Sequence, residues 1–136
     1  MPYWSCYFHI VWATKYRQSI ITPQMETFIF AAINQKSSEL HSPVLALNGV
    51  TDHLHVAICI APSVSVSNWV GQVKGLAAHS VNAVFGNLET PFKWQEGYGV
   101  VTFGEKQLPF VQAYIANQKQ HHSVGGLVEK LERFDE

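Results

Sequence analysis

Charge is scarce in this sequence, and so is cysteine. Of 136 residues, Lys and Arg number 9 and Asp and Glu 10, which leaves a formal net charge of −1. Lys and Arg normally supply most of a protein's non-specific affinity for phosphate. The balance therefore excludes a broadly basic surface, and any phosphate contact has to come from a local patch. The two cysteines, Cys6 and Cys59, fall in predicted strands without metal-knuckle spacing, so free buried thiols are expected in place of a disulfide or a zinc site. No apolar run approaches the roughly 18–20 residues of a membrane span, and no basic region leads into an apolar core and small-residue cleavage site. No membrane association and a cytoplasmic location are expected. The 47% hydrophobic content suffices for one core, and the chain is read as a single domain over 1–136, with a core of about 3–122 and a short tail at 123–136.

What the sequence has is an alternating stretch from Thr51 to Ile60. Its β-branched content and period of two read as a strand, with Leu54, Val56, Ile58 and Ile60 on one face and His53, His55, Ala57 and Cys59 on the other. Same-face neighbours on a strand lie roughly 6.5–7 Å apart at Cα, so two neutral imidazoles there can converge on one divalent cation. A second polar group, Tyr114-Ile115-Ala116-Asn117-Gln118, lies in a predicted helix over about 106–122. Tyr114 and Gln118 are i and i+4 and share a helix face, so a nucleophile and a third ligand can approach the His pair together. Asn117 points off that face.

The rest reads as scaffold. Residues 3–14 alternate with Tyr7, His9, Val11 and Ala13 on one side and Phe8, Ile10 and Trp12 on the other, a strand apolar on both faces and so central in its sheet. Lys15, Tyr16 and Arg17 follow, a solvated strand end or a phosphate contact. Thr22-Pro23 opens a helix to about residue 40. A second strand starts at Val44, with the hairpin turn at Asn48-Gly49 or at Thr51-Asp52. A helix capped within Ser63 to Ser67 carries Lys74 and His79 on its polar side. Residues 86–97 form a loop in which Trp94 either packs or stacks a base. Tyr98 to Phe103 reads as a fourth strand. His9 and His79 are expected to be structural or near the ligand, while His41, His121 and His122 suit helix ends. The order strand, helix, strand, strand, helix, strand is that of an α+β, ferredoxin-like split β-α-β sandwich with an antiparallel sheet. In that fold the His pair faces the open side of the sheet, where the last helix can dock.

His-hydrophobe-His on a strand, with Tyr114 and Gln118 far downstream, resembles the HUH single-tyrosine transposases of the insertion sequence 200/605 type. Phe8 to Arg17, Val73-Lys74-Gly75, Trp94 to Gly99 and Tyr114 through His121-His122 match the family in its order. The resemblance implies a transposase or endonuclease that cleaves and rejoins single-stranded DNA through a 5′-phosphotyrosine on Tyr114. It implies a metal held by His53, His55 and Gln118, with hairpin-bearing DNA ends as partner and a homodimer as assembly. Two imidazoles suit manganese as well as magnesium. Lys15, Arg17, Lys74, His79 and Trp94 are the expected DNA contacts. Other readings keep the site with a different role, a host-serving repeat-associated transposase or a replication-initiator-like nickase, or make the domain a catalytically silent DNA-binding module.

Overall fold

The computed structural model describes residues 3–120 and Glu132. Strands β1 (Tyr7–Ala13), β2 (Val44–Val50), β3 (His53–Cys59) and β4 (Gly99–Phe103) form one sheet in the order β2-β3-β1-β4. Every pairing is antiparallel. With helices α1 (Pro23–Glu39), α2 (Val66–Val84) and α3 (Leu108–Ala116), this is the expected ferredoxin-like α+β arrangement.

Local chemistry sets the helix starts. Thr22 accepts the Met25 N–H at 3.2 Å ahead of Pro23, and Ser65 accepts the Asn68 N–H at 3.0 Å. Both helices lie on one sheet face. There Ile10, Trp12, Leu54, Val56, Ile58 and Ile60 meet Ile29, Ile33, Trp69, Val73 and Val81. The opposite face is covered by α3, whose Val111 and Ile115 pack on Ala57 beside Leu45, Ala46 and Phe103. Every residue of β3 is buried, including both histidines.

The structure decides one reading that was open and corrects another. The β2–β3 turn falls at Thr51-Asp52, the second of the two turn positions left open. Gly49 is instead inside β2, because a Cβ there would stand 2.5 Å from both the His53 carbonyl and Leu54 Cδ2. The last helix is interrupted rather than continuous. A 3-10 turn at Glu105–Gln107 precedes α3, and Asn117 ends it before residues 118–120 turn helical again. The Asn117 side-chain Nδ2 donates to the Ala113 carbonyl at 2.9 Å, and that carbonyl also accepts the Asn117 backbone N–H at 3.1 Å. On the second face of β1, Val11, Ala13 and His9 are buried within the chain. The readings of His121 and His122 lie outside the described residues.

Gly49→Ala tests the close approach of β2 to β3. Overpacking of this kind costs on the order of 1–3 kcal/mol, so the urea midpoint is expected to fall with an unchanged slope; an unchanged midpoint would mean that the strands do not approach as described.

Candidate active site

The site starts from β3. Its alternation sends Leu54, Val56 and Ile58 into the core between sheet and helices. His53 and His55 go to the other face, where they are 2% and 0% exposed and their ring centroids lie 5.1 Å apart. Buried imidazole nitrogens need partners, and each ring has one behind it. Asp52, in the hairpin turn, puts Oδ1 2.7 Å from His53 Nδ1. A carboxylate accepts, so the His53 Nδ1–H donates to it and Nε2 faces the site. Behind His55 lies His9, with Nε2 3.0 Å from His55 Nδ1 and the two rings stacked. Burial, with help from His55, lowers the His9 pKa to about 3. His9 is therefore neutral and can accept the His55 Nδ1–H, and His55 Nε2 turns to the site.

Helix α3 brings the phenol. Gln112 Nε2 donates to the Leu45 carbonyl at 3.1 Å and Asn48 Nδ2 to the Ala116 carbonyl at 3.1 Å, tying the helix to β2. Lys119 Nζ reaches Asn48 Oδ1 at 2.8 Å and both Glu26 oxygens at 3.1 Å, fixing the end of the segment to α1. Tyr114 is consequently 4% exposed, its ring centroid 6.1 Å from that of His55. Gln118 is fully buried, and its Oε1 has no hydrogen-bond partner among the described residues.

At the centre is a carboxylate. Glu132 Oε1 lies 3.3 Å from His53 Nε2 and 3.1 Å from His55 Nε2, while Oε2 accepts from the Tyr114 hydroxyl and, at 3.2 Å, from Gln118 Nε2. Burial raises the Glu132 pKa, but the contacts with His53, His55 and Tyr114 outweigh it and hold the carboxyl well below the ordinary range. It is ionised.

Four of the expected site residues, His53, His55, Tyr114 and Gln118, thus converge within one chain. The expected DNA contacts divide. Lys15 and Arg17 stand at the end of β1, where Tyr16 and Arg17 take left-handed backbone at φ 58° and 53°. Gln95 Oε1 accepts the Tyr16 N–H at 2.9 Å and the Thr14 carbonyl accepts the Arg17 N–H at 2.9 Å, holding a conformation that is costly for non-glycine residues. The kink leaves Tyr16 exposed and turns Arg17 toward Asp52, 3.4 Å away. Lys74 Nζ donates to the carbonyls of Gln95 at 2.8 Å and Gly97 at 3.1 Å; burial lowers its pKa. The Trp94 indole packs edge-on to Trp12 and Phe92 and donates to the Lys74 carbonyl. Both fix the loop. His79 is exposed on α2, whose buried side packs against the other sheet face.

Sequence reasoning missed Asp52, His9 and Glu132 as site residues. Asp52 adjoins His53 and was the most legible. The role of His9 depends on the β1–β3 register, which sets Val11 opposite His55.

A ferredoxin-like sheet with a buried His-x-His pair under a tyrosine-bearing helix defines a class of α+β domain in which two imidazoles and a phenol share one enclosure. A family described as "Transposase IS200 like" matches residues 2–118, and the chain belongs to it. It is a transposase of that family. The transposase for insertion sequence element IS200 of Salmonella typhimurium strain LT2 is 29% identical over 126 residues, 90% of this chain and 82% of the relative. The ISDra2 transposase TnpA of Deinococcus radiodurans is 20% identical over 115 residues, 82% of each chain. Among solved structures, a Deinococcus radiodurans R1 protein assigned as a transposase matches with a TM-score of 0.70 at 24% identity, covering 86% of this chain and 93% of that one. A REP-associated tyrosine transposase bound to a REP hairpin matches with a TM-score of 0.68 at 16% identity, covering 96% and 75%.

The family implies a divalent metal, and the residues fit one: two imidazole nitrogens, an ionised carboxylate and a buried amide oxygen without a partner among the described residues.

The His9 assignment can be checked by an NMR pH titration of the histidine side chains. Its midpoint should fall at about 3, against 6.5 for an ordinary imidazole. Between those values the unfolded state binds more protons, so this group's contribution to stability declines as pH drops from 6.5 toward 3. A His9 midpoint near 6.5 would contradict the assignment.

Proposed function

We propose that this transposase cleaves and rejoins single-stranded DNA with Tyr114 as the nucleophile. The observation that carries the reading is the meeting of the Tyr114 phenol, the two imidazoles and Gln118 around one enclosed carboxylate. In the proposed reaction the Tyr114 oxygen attacks a phosphodiester phosphorus and the bond to the 3′ oxygen breaks. The products are a 5′-phosphotyrosyl bond and a 3′-hydroxyl, with the phenol proton passing to the leaving oxygen. Attack by the 3′-hydroxyl of another strand reverses the step at a new junction, so neither ATP nor hydrolysis is required.

A phenol titrates near pH 10, so Tyr114 needs an arrangement that favours attack. Its hydroxyl is already fixed by Glu132, and its ring by Phe110 and His55, 6.4 and 6.1 Å away between centroids. Such positioning supplies part of the barrier reduction. His53, His55 and Gln118 would hold the cation, magnesium or manganese, which when bound supplies charge stabilisation at the phosphoryl oxygens. Asp52 and His9 keep the imidazole lone pairs turned toward it.

Arg17, beside Asp52 and His53, and Lys15, whose Nζ lies 5.2 Å from the centroid of the Tyr16 ring, are the proposed phosphate contacts, and the exposed Tyr16 offers its ring to a base. Lys74 and Trp94 would serve them by bracing the 93–97 loop, and His79 would meet only DNA that extends past the sheet edge. Because one structural neighbour holds a REP hairpin, a hairpin-bearing strand is the proposed substrate. A homodimer and a cytoplasmic setting complete the reading.

Incubation with manganese and a labelled hairpin strand is expected to give a denaturant-resistant protein–DNA adduct. Tyr114→Phe should lose it, and an equal adduct yield in that variant would remove Tyr114 from the role. His53→Ala and His55→Ala should each abolish cleavage while leaving the circular dichroism spectrum unchanged; cleavage at the original rate by either would exclude a shared cation site.

A further inference from the structure

Glu132 belongs to a stretch that the sequence gives no reason to place near the site, yet its carboxylate contacts His53, His55, Tyr114 and Gln118. Its relation to the imidazoles is informative. His53 Nε2 and His55 Nε2 both face Glu132 Oε1, and one ligand atom from each of the three residues lies within 4.8 Å of the others. Ligands bound about 2.1 Å from an ion at angles of about 90–110° stand about 3.0–3.5 Å from one another. The two nitrogen-to-Oε1 separations, 3.3 and 3.1 Å, lie in that range. A separate observation points the same way: Gln118 is fully buried, and its Oε1 finds no partner among the described residues although its Nε2 donates to Glu132.

We propose that Glu132 is a ligand of the cation held by His53 and His55, contributing Oε1, while its Oε2 holds the Tyr114 hydroxyl. Filling the cation site and placing the nucleophile then depend on one side chain. A hard anionic oxygen among softer nitrogens also favours magnesium and manganese more than two imidazoles and an amide would. The inference rests on the proposed cation site. The opposing possibility is that the carboxylate occupies the position of a DNA phosphate and must leave before cleavage.

Manganese binding to the full-length protein, followed by loss of the free-ion electron paramagnetic resonance signal, separates these. Glu132→Gln keeps the shape and removes the charge; it should weaken manganese binding at least about tenfold, with Glu132→Asp falling between it and the unaltered protein. His53→Ala should weaken binding as well. Unchanged or tighter binding by Glu132→Gln, with more adduct formed on hairpin DNA, would overturn the proposal and leave the carboxylate as a competitor of substrate. If His53→Ala also binds manganese normally, it is the His-pair site itself that fails.

Discussion

Two imidazoles buried on a strand that is enclosed on both faces impose the main constraint on this molecule. On the helix side, β3 is satisfied by apolar contact alone. On the other side, His53 and His55 bring four ring nitrogens into a volume with almost no access to water. Leaving such groups unpaired costs on the order of 1–3 kcal/mol each. Asp52 and His9 meet the Nδ1 atoms, and Glu132 meets the Nε2 atoms. The polar cluster follows from placing histidine at two consecutive inward positions.

The sheet divides the work between its faces. Helices α1 and α2 bury one face and give β1 and β3 a fixed register, and that register brings His9 alongside His55. The other face carries α3, held by a few apolar contacts and by polar ties from Gln112, Asn48 and Lys119. A segment fastened largely by exposed hydrogen bonds over a small apolar patch opens more easily than the core. The tyrosine is therefore on the more weakly held layer, and the two histidines are on the firmly held one. For the proposed reaction, which would have to admit a DNA strand between them, this is the useful distribution.

Much of this was legible before any coordinates. The period of two in residues 51–60 gave both the strand and the parity of its histidines, and parity survives an uncertain turn position. The Tyr114–Gln118 spacing placed both side chains at the site even though Asn117 breaks the helix between them. The fold class and its antiparallel sheet followed from element order. What stayed hidden depended on register and long-range return of the chain. His9 can be put on the correct face from β1 alone, but its contact with His55 needs the pairing across strands. Gly49 looked like a turn residue because Asn-Gly is a strong local signal; the close approach of β3 is tertiary and has no local trace. Lys74 and Trp94 looked like DNA contacts by position, while in the fold their polar atoms go to the loop and to each other. Glu132 is one acidic residue in a charged terminal segment, and nothing in its neighbours marks it.

The account stands on a single spatial claim, that the Nε2 atoms of His53 and His55 address one cation beside the Tyr114 phenol. Anomalous diffraction from crystals grown with manganese tests it most directly. The account predicts one strong peak within about 2.3 Å of both Nε2 atoms, on the α3 side of the sheet. A manganese peak elsewhere, with the two imidazoles ligating nothing, would contradict it.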